Sequence, residues 1–241
     1  GVVLASPDGA GAISVTAGQH GVGFIKLLVV HPDARRRGSG RALLDAAHEW
    51  LQREHGCTAI VAGAAAPFYL WPGVDVAHTG MLCLLEAAGY HVTGGEVNMR
   101  CSTSFRAAAP TGVVVQRALD DDVVERVVAL VRREWPWWEA ELQRAIEHGC
   151  CHVALTDDDE RAALGFACHS VNRAGWIGPM GTDPKQQHGR VGSALLGQLC
   201  RDLMIADISD AEIAWVGPVS FYAKAAGATV SRSFRSLIYR V

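Results

Sequence analysis

Short apolar runs and longer stretches with helical spacing alternate along this chain. The apolar run Phe24–Val30 ends at His31-Pro32, and apolar residues then recur every three or four positions over Arg41–His55. Gly56 follows directly, as is common where a helix ends, and Ala59–Gly63 is a second apolar run. This strand–loop–helix–strand order predicts an α/β fold built on a mixed sheet.

The same pattern returns nearer the C-terminus. The run Gly175–Thr182 leads to a proline, and a second helical pattern follows it. A single shift in residue number aligns Pro32 with Pro184, Gly40 with Gly192, and Leu43-Leu44 with Leu195-Leu196. One shift that fits a strand end, a glycine and a helix start indicates an internal repeat. The alternative is a chance similarity between two strand–loop–helix units.

Both copies predict further elements. Those of the second copy are the strand Val113–Leu119, the helices Val123–Glu134 and Trp138–His148, the hairpin Cys151–Thr156 with Ala162–Asn172, the strand Glu212–Val216, the helix Phe221–Ala226 and a closing strand Ser236–Val241. Those of the first copy are the hairpin Val2–Ala5 with Ala12–Ala17, the helix Met81–Ala87 and a hairpin of Tyr90–Thr93 with Glu96–Cys101 around Gly94-Gly95. We therefore expect an N-terminal domain over 1–101, a linker over 102–112 and a C-terminal domain over 113–241.

The first copy lacks the opening strand and the two helices that the second copy has. The chain also begins with Gly1 instead of a methionine. We expect the natural protein to extend upstream of Gly1, or an element of a partner to fill this place.

Composition and charge exclude several classes of function. The chain has 241 residues, of which 49% are hydrophobic and 20% charged, and a net charge of −3, so nucleic acid is not an expected partner. No apolar run is long enough to span a membrane, and no signal peptide is recognisable. The seven cysteines are an odd number and include no Cys-x-x-Cys pair. We expect reduced thiols, a cytoplasmic protein and no metal site.

The loop before the first long helix has the composition of an anion site. The basic run Arg35–Arg37 precedes Gly38-Ser39-Gly40 and the helix start at Arg41. The first N–H groups of a helix lack partners within it and lie at its positive end, so they bind anions, and phosphates in particular. A Walker loop is excluded because no Lys-Ser/Thr follows the glycines, and a dinucleotide fingerprint because Leu43 stands where the third glycine belongs.

The string Arg35-x-x-Gly38-x-Gly40, placed after a strand and before Ala42-Leu43-Leu44, resembles motif A of the GCN5-related N-acetyltransferases (GNATs). The resemblance implies two tandem GNAT-like domains, and a loop that binds the pyrophosphate of acetyl-CoA. The cofactor-binding residues implied in the first copy are Val29, Val30, Arg35, Arg36, Arg37, Gly38, Ser39, Gly40 and Arg41. The alternative is a basic, solvated turn that merely starts a helix.

The second copy departs from this motif. Arg190 stands at the position of the first motif glycine, and Gly189 lies one residue earlier. The cofactor-binding residues implied in this copy are Gln187, Gly189, Val191, Gly192 and Ser193. This loop either binds acetyl-CoA with a shifted backbone or has lost the cofactor, and we expect the first loop to be the main site.

The resemblance also implies a proton donor for the leaving thiolate. The segment Phe221-Tyr222-Ala223-Lys224 is similar to a family segment that supplies this acid, so Tyr222 is the candidate; the alternative is a tyrosine that only packs. The matching segment Cys83–Gly89 has no tyrosine. No acid lies on the strand Phe24–Val30. We therefore expect either that water passes the proton of the amine to the base or that the base comes from the other domain.

Aromatic residues between prolines follow the strand Ala59–Gly63. Tyr69 and Trp71 offer ring faces, and Asp75 offers a carboxylate that could hold an ammonium group. These three residues are the candidate substrate contacts, and similar segments in GNAT domains of amino-sugar metabolism hint at an amino sugar. The alternative is a rigid apolar crossing loop.

We therefore expect an acetyl-CoA-dependent N-acetyltransferase that acts on the primary amine of a small molecule. The alternatives are a non-catalytic acyl-CoA-binding or assembly module, and an acetyltransferase that acts on a protein or peptide amine. The sequence names neither the acceptor nor the active domain, and it leaves the oligomeric state open.

Overall fold

The computed structural model describes residues 1–186 and 189–241. The chain forms two compact units. Unit 1 comprises residues 1–97 together with 232–241, and unit 2 comprises residues 98–231. No helix in the described part of the chain has the length and apolar character needed to cross a membrane.

Unit 1 is a mixed sheet with two helices. Its strands are β1 (Val2–Ala5), β2 (Gly11–Ala17), β3 (Val22–Val30), β4 (Ala59–Ala62), β5 (Val74–Asp75), the part of β6 (His91–Ser102) up to residue 97 and the part of β12 (Thr229–Arg240) from residue 232. Its helices are α1 (Ser39–Glu49), which continues as a π-helical turn over Trp50–Glu54, and α2 (Thr79–Ala87). Strands β1, β2 and β3 pair in an antiparallel manner, β3 and β4 are parallel, and β12 runs antiparallel to β4 and β5.

The core of unit 1 lies between its sheet and helix α1. Ile13 and Ile25 point inward from β2 and β3, and Leu44 and Leu51 meet them from the helix; each is at most 2% exposed. The apolar spacing that predicted a helix over Arg41–His55 is this buried face, and the helix begins two residues earlier, at Ser39.

Two expectations about the sheet are wrong. Gly94-Gly95 does not form a turn, because neither glycine has a positive φ and β6 runs unbroken from His91 to Ser102. The expected closing strand Ser236–Val241 belongs to unit 1 and not to the second copy, and its Leu237 pairs with Ala62 on β4. The compact units therefore differ from the expected boundaries at 1–101 and 113–241.

Unit 2 contains the elements expected of the second copy, apart from its closing strand, in the expected order. They are β7 (Val113–Arg117), α3 (Asp121–Glu134), α4 (Glu139–Glu147), β8 (Cys151–Thr156), β9 (Ala163–His169), β10 (Trp176–Thr182), α5 (Val191–Ile205), β11 (Asp210–Ile213) and α6 (Val219–Ala226). The sheet order is β7-β8-β9-β10-β11-β6, in which β10 and β11 are parallel and the other pairs antiparallel. Phe166, Leu155 and Leu142 are fully buried in its core. The α/β fold with mixed sheets is thus confirmed.

Candidate active site

A gap opens between two parallel strands of unit 1. Strand β3 pairs with β4 only from Val22 to Ile25, and the last bond of the pair runs from the N–H of Gly63 to the carbonyl of Ile25 at 2.8 Å. Lys26 is an extra residue on β3 that shifts its register against β2, and such a bulge bends the strand that carries it. The rest of β3, through Val30, therefore runs on without β4 beside it.

Gly63 fixes where the chain leaves this gap. It has a φ of 87°, and a Cβ at this position would lie 2.7 Å from the Cα of Gly73. Only a glycine pair permits this close approach of two backbones. The chain therefore turns at Gly63, where its hydrogen bonding to β3 ends.

A cavity of about 850 Å³ occupies this part of unit 1. One side is the edge of β3 from Ile25 to Val30, and another is α2, with Met81, Cys83 and Leu84. One end is closed by Arg35, Arg36 and Gly38 of the loop before α1 together with Gly40 and Arg41 of its first turn. The other end contains Trp71, Asp75, His78 and Arg232.

The start of α1 is open towards this cavity. Gly38 is the N-cap, its φ is 91°, and no side chain caps the helix. A Cβ at Gly38 would meet no atom within 4 Å, and Arg35 turns its Nε–H back to the carbonyl of Val30 at 3.0 Å. The first N–H groups of α1 therefore have no side-chain acceptor in this unit, which is the condition for anion binding at a helix N-terminus.

The structure brings most of the implied cofactor residues of unit 1 to one cavity. Val29, Val30, Arg35, Arg36, Gly38, Gly40 and Arg41 line it. Arg37 is exposed and Ser39 is partly buried, and neither lines the cavity. Arg37 would contribute only longer-range charge.

The structure does not bring all three of the expected substrate residues to the cavity. Trp71 and Asp75 line the cavity, whereas Tyr69 is 9% exposed and is not part of the lining. The role of Tyr69 as a substrate contact stays a prediction.

The carboxylate of Asp75 is bound by an arginine from the last strand. Its Oδ2 accepts bonds from Nε and Nη2 of Arg232 at 2.7 and 2.6 Å, and its Oδ1 accepts the N–H of Ala77 at 2.9 Å. Burial alone would raise the pKa of Asp75, but the Ala77 N–H and the guanidinium outweigh it and lower the pKa below its usual value. Asp75 is thus ionised and paired, which conflicts with the expectation that it holds the ammonium group of a substrate.

Sequence reasoning missed Arg232 altogether. The pairing of Phe234 with Asp75, between β12 and β5, brings Arg232 to the cavity, and its guanidinium carbon lies 4.1 Å from the centre of the Trp71 ring. No local motif marks this arginine, since its place depends on the register of two strands that are far apart in the sequence.

The start of α5 in unit 2 has a left-handed N-cap, as the start of α1 has. Arg190 is the N-cap of α5 in the left-handed region, and Gly189, Val191, Gly192 and Ser193 surround it. A Cβ at Gly192 would lie 3.1 Å from the ring of Phe221. The implied residue Gln187 lies outside the described residues.

Tyr222 is buried in unit 2 close to this loop. Its hydroxyl donates to Sδ of Met180 at 3.9 Å. Burial, together with the neighbouring Cys101 thiol, raises the pKa of Tyr222 to about 12. The phenol therefore keeps its proton at neutral pH, and its role as an acid stays a prediction.

Residues 2–71 match the family of acetyltransferase (GNAT) domains. This part of unit 1 is therefore similar to a GNAT domain. This match covers β1 to β4 of unit 1, including the gap, α1 and the loop before it.

Solved GNAT structures share the fold over nearly the whole chain. One is a fungal multi-domain GH3 β-N-acetylglucosaminidase described as having a GCN5-related glucosamine N-acetyltransferase region, with a TM-score of 0.76 and 18% identity over 95% of this chain and 31% of that one. A GCN5-related N-acetyltransferase from Sphaerobacter thermophilus has a TM-score of 0.76 and 17% identity over 98% of this chain and 79% of that one. A tandem GNAT protein from the clavulanic acid biosynthesis pathway has a TM-score of 0.70 and 18% identity over 96% of this chain and 79% of that one.

These likenesses establish the fold. The chain spans less than a third of the fungal protein. No curated protein sequence matches the chain.

Proposed function

We propose that unit 1 is an acetyl-CoA-dependent N-acetyltransferase that acts on the primary amine of a small molecule. The observation that carries the proposal is one cavity that connects the uncapped start of α1 with the exposed edge of β3. The diphosphate of acetyl-CoA needs the uncapped helix start, and its thioester arm needs the exposed strand edge. The two features have to lie at opposite parts of one site.

The residues of unit 1 fit the cofactor. The space beside Gly38 is empty, and the N–H groups at the start of α1 suit a pyrophosphate. Arg35, Arg36 and Arg41 add positive charge around it. Acetyl-CoA supplies the activated acetyl group, and the edge of β3 offers backbone N–H groups of the kind that stabilise a developing oxyanion.

The amine must lose a proton to attack a thioester. Asp75 is an unsuitable base because its two oxygens accept bonds from Ala77 and Arg232. His78 is exposed and is the imidazole that lines the cavity among the described residues. We assign it the role of proton acceptor, directly or through water.

We propose that catalysis takes place in unit 1 and not in unit 2. In unit 2 the Phe221 ring lies against the start of α5, and the hydroxyl of Tyr222 is directed at Met180. These contacts favour a supporting or cofactor-binding role for unit 2.

The test is the release of free CoA thiol from acetyl-CoA with a panel of small amines, together with calorimetric titration of CoA. Amine-dependent release at a rate well above hydrolysis supports the proposal. Binding of CoA without amine-dependent release from any small amine would leave the non-catalytic binding module standing. Release with peptide amines alone would assign the chain to protein or peptide acetylation.

A further inference from the structure

The charges around the cavity of unit 1 are strongly unequal. Asp75 is the one carboxylate among the described residues that line it, and Lys26, Arg35, Arg36, Arg41 and Arg232 are its cationic side chains. Arg35 and Arg36 lie in the loop before α1 and Arg41 in its first turn, around the proposed cofactor site. Arg232 belongs to the opposite end, where the acceptor amine has to enter.

The carboxylate of Asp75 is not accessible to a ligand. Its side chain is 8% exposed, and both of its oxygens accept hydrogen bonds from the protein. A substrate ammonium group would have to displace the bonds from Arg232 to reach it. The acceptor end of the cavity therefore offers no free carboxylate to a cationic group.

One edge of the Arg232 guanidinium group binds Asp75, and the other edge is available to a ligand. The edge formed by Nε and Nη2 is used by Asp75, and no described residue bonds to Nη1. An arginine side chain has a second edge, formed by Nη1 and the remaining N–H of Nη2, which can bind two coplanar oxygens at once. The side chain of Arg232 is 27% exposed, so this edge is within reach of a ligand.

The guanidinium is also held in place before any ligand arrives. Its carbon lies 4.1 Å from the ring centre of Trp71 and 5.4 Å from that of Phe234. The pair with Asp75 fixes its rotation in the plane. A donor group that is already fixed loses little entropy when it binds, so this arrangement suits recognition and not only packing.

We propose that the acceptor amine also carries a carboxylate, which Arg232 binds through its free edge. The acceptor is then an amino acid or an amino-sugar acid, and simple amines, diamines and neutral amino sugars are poorer substrates. Arg232 is the residue that sets this specificity, and Asp75 positions it. The inference rests on the proposed function and narrows its substrate class.

The experiment compares matched acceptors with and without the carboxylate. The pairs are muramic acid against glucosamine, and L-phenylalanine against phenethylamine; glucosamine 6-phosphate is added as a phosphate-bearing acceptor. The readout is kcat/KM for thiol release with the wild-type chain, Arg232→Gln, Arg232→Lys and the control Arg235→Gln. Arg235 lies on the same strand, is exposed and does not line the cavity.

We expect the wild-type chain to prefer the carboxylated member of a pair by at least about tenfold, the effect of a charged hydrogen bond. Arg232→Gln brings this ratio close to one, Arg232→Lys gives an intermediate ratio because it keeps the charge but loses the planar edge, and Arg235→Gln keeps the wild-type ratio. The ratio is taken within each variant, so a loss of folded protein does not change it. Calorimetric titration of CoA confirms that each variant is folded.

Three results overturn the inference. Equal use of both members of the pairs by the wild-type chain shows that no carboxylate is recognised. A ratio that survives in Arg232→Gln assigns recognition to another group. A preference for glucosamine 6-phosphate over muramic acid replaces the carboxylate by a phosphate. In each case thiol release still occurs, whereas failure of the proposed function removes release with every amine.

Discussion

Gly38 and Arg190 occupy the same left-handed N-cap position at the start of α1 and of α5, with φ angles of 91° and 62°. Glycine adopts this conformation without steric cost, whereas a residue with a side chain does so at about 1–2 kcal/mol. The left-handed N-cap is thus kept in both units, but in unit 1 a residue without a side chain occupies it, whereas Arg190 occupies it in unit 2. This difference supports the proposed cofactor site in unit 1.

Gly38→Glu should weaken CoA binding to unit 1 by about 100-fold, because a carboxylate would face the pyrophosphate and like charges at a binding site cost several kcal/mol. Gly38→Ala is the matched control, since it adds only the strain of the left-handed conformation. Calorimetry gives the affinity and the number of sites. An unchanged affinity and stoichiometry in Gly38→Glu would contradict the cofactor site.

His78→Asn should lower kcat by about 100-fold, the usual contribution of a positioned base. The measurement is kcat for amine-dependent thiol release, with His31→Asn as the control because His31 is exposed and does not line the cavity. An equal kcat for the wild-type chain and His78→Asn would assign the proton to another acceptor.

Cys83 should be the cysteine that a thiol reagent labels first in the native protein. It is the exposed cysteine, and the other six are buried; burial also raises the pKa of Cys57 and of Cys150. Since Cys83 lines the cavity, saturating CoA should slow its labelling several-fold. Mass spectrometry of the labelled peptides measures this, and Cys83→Ser is the control. Labelling that is insensitive to CoA would place the cofactor elsewhere.

Glu141 should make unit 2 less stable as the pH rises. Burial, only partly offset by the Asn172 amide and by Arg144, raises the pKa of Glu141 to about 7. In the unfolded chain Glu141 has its ordinary pKa of 4.5. Its contribution to the free energy of unfolding is therefore complete below pH 4.5 and is lost as the pH rises through about 7. The loss amounts to about 3 kcal/mol.

Glu141→Gln removes this proton linkage and keeps an oxygen for the Asn172 amide, which donates to Oε1 of Glu141 at 2.8 Å. The free energy of unfolding of the variant relative to the wild-type chain should therefore be higher at pH 8 than at pH 5. Urea denaturation at the two pH values measures it. The same difference at both pH values would show that Glu141 has an ordinary pKa in the folded state.

The sequence by itself determined the local parts of this protein. The apolar run that ends at Pro32, the glycines at 38 and 40 and the helical spacing after Arg41 predict the strand, the uncapped loop and the helix. All of these signals lie within about two dozen consecutive residues, where backbone preference and apolar spacing decide the structure.

Only the tertiary structure decided which segments share a sheet and which side chains meet in the cavity. Leu237 pairs with Ala62, and Arg232 binds Asp75, although no pattern near either residue indicates its partner. The pairing and register of distant strands follow from the packing of the whole sheet, because the alternating pattern of one strand fits several neighbours equally well. For the same reason, the pattern around Gly94-Gly95 suited a turn as well as the extended strand that forms.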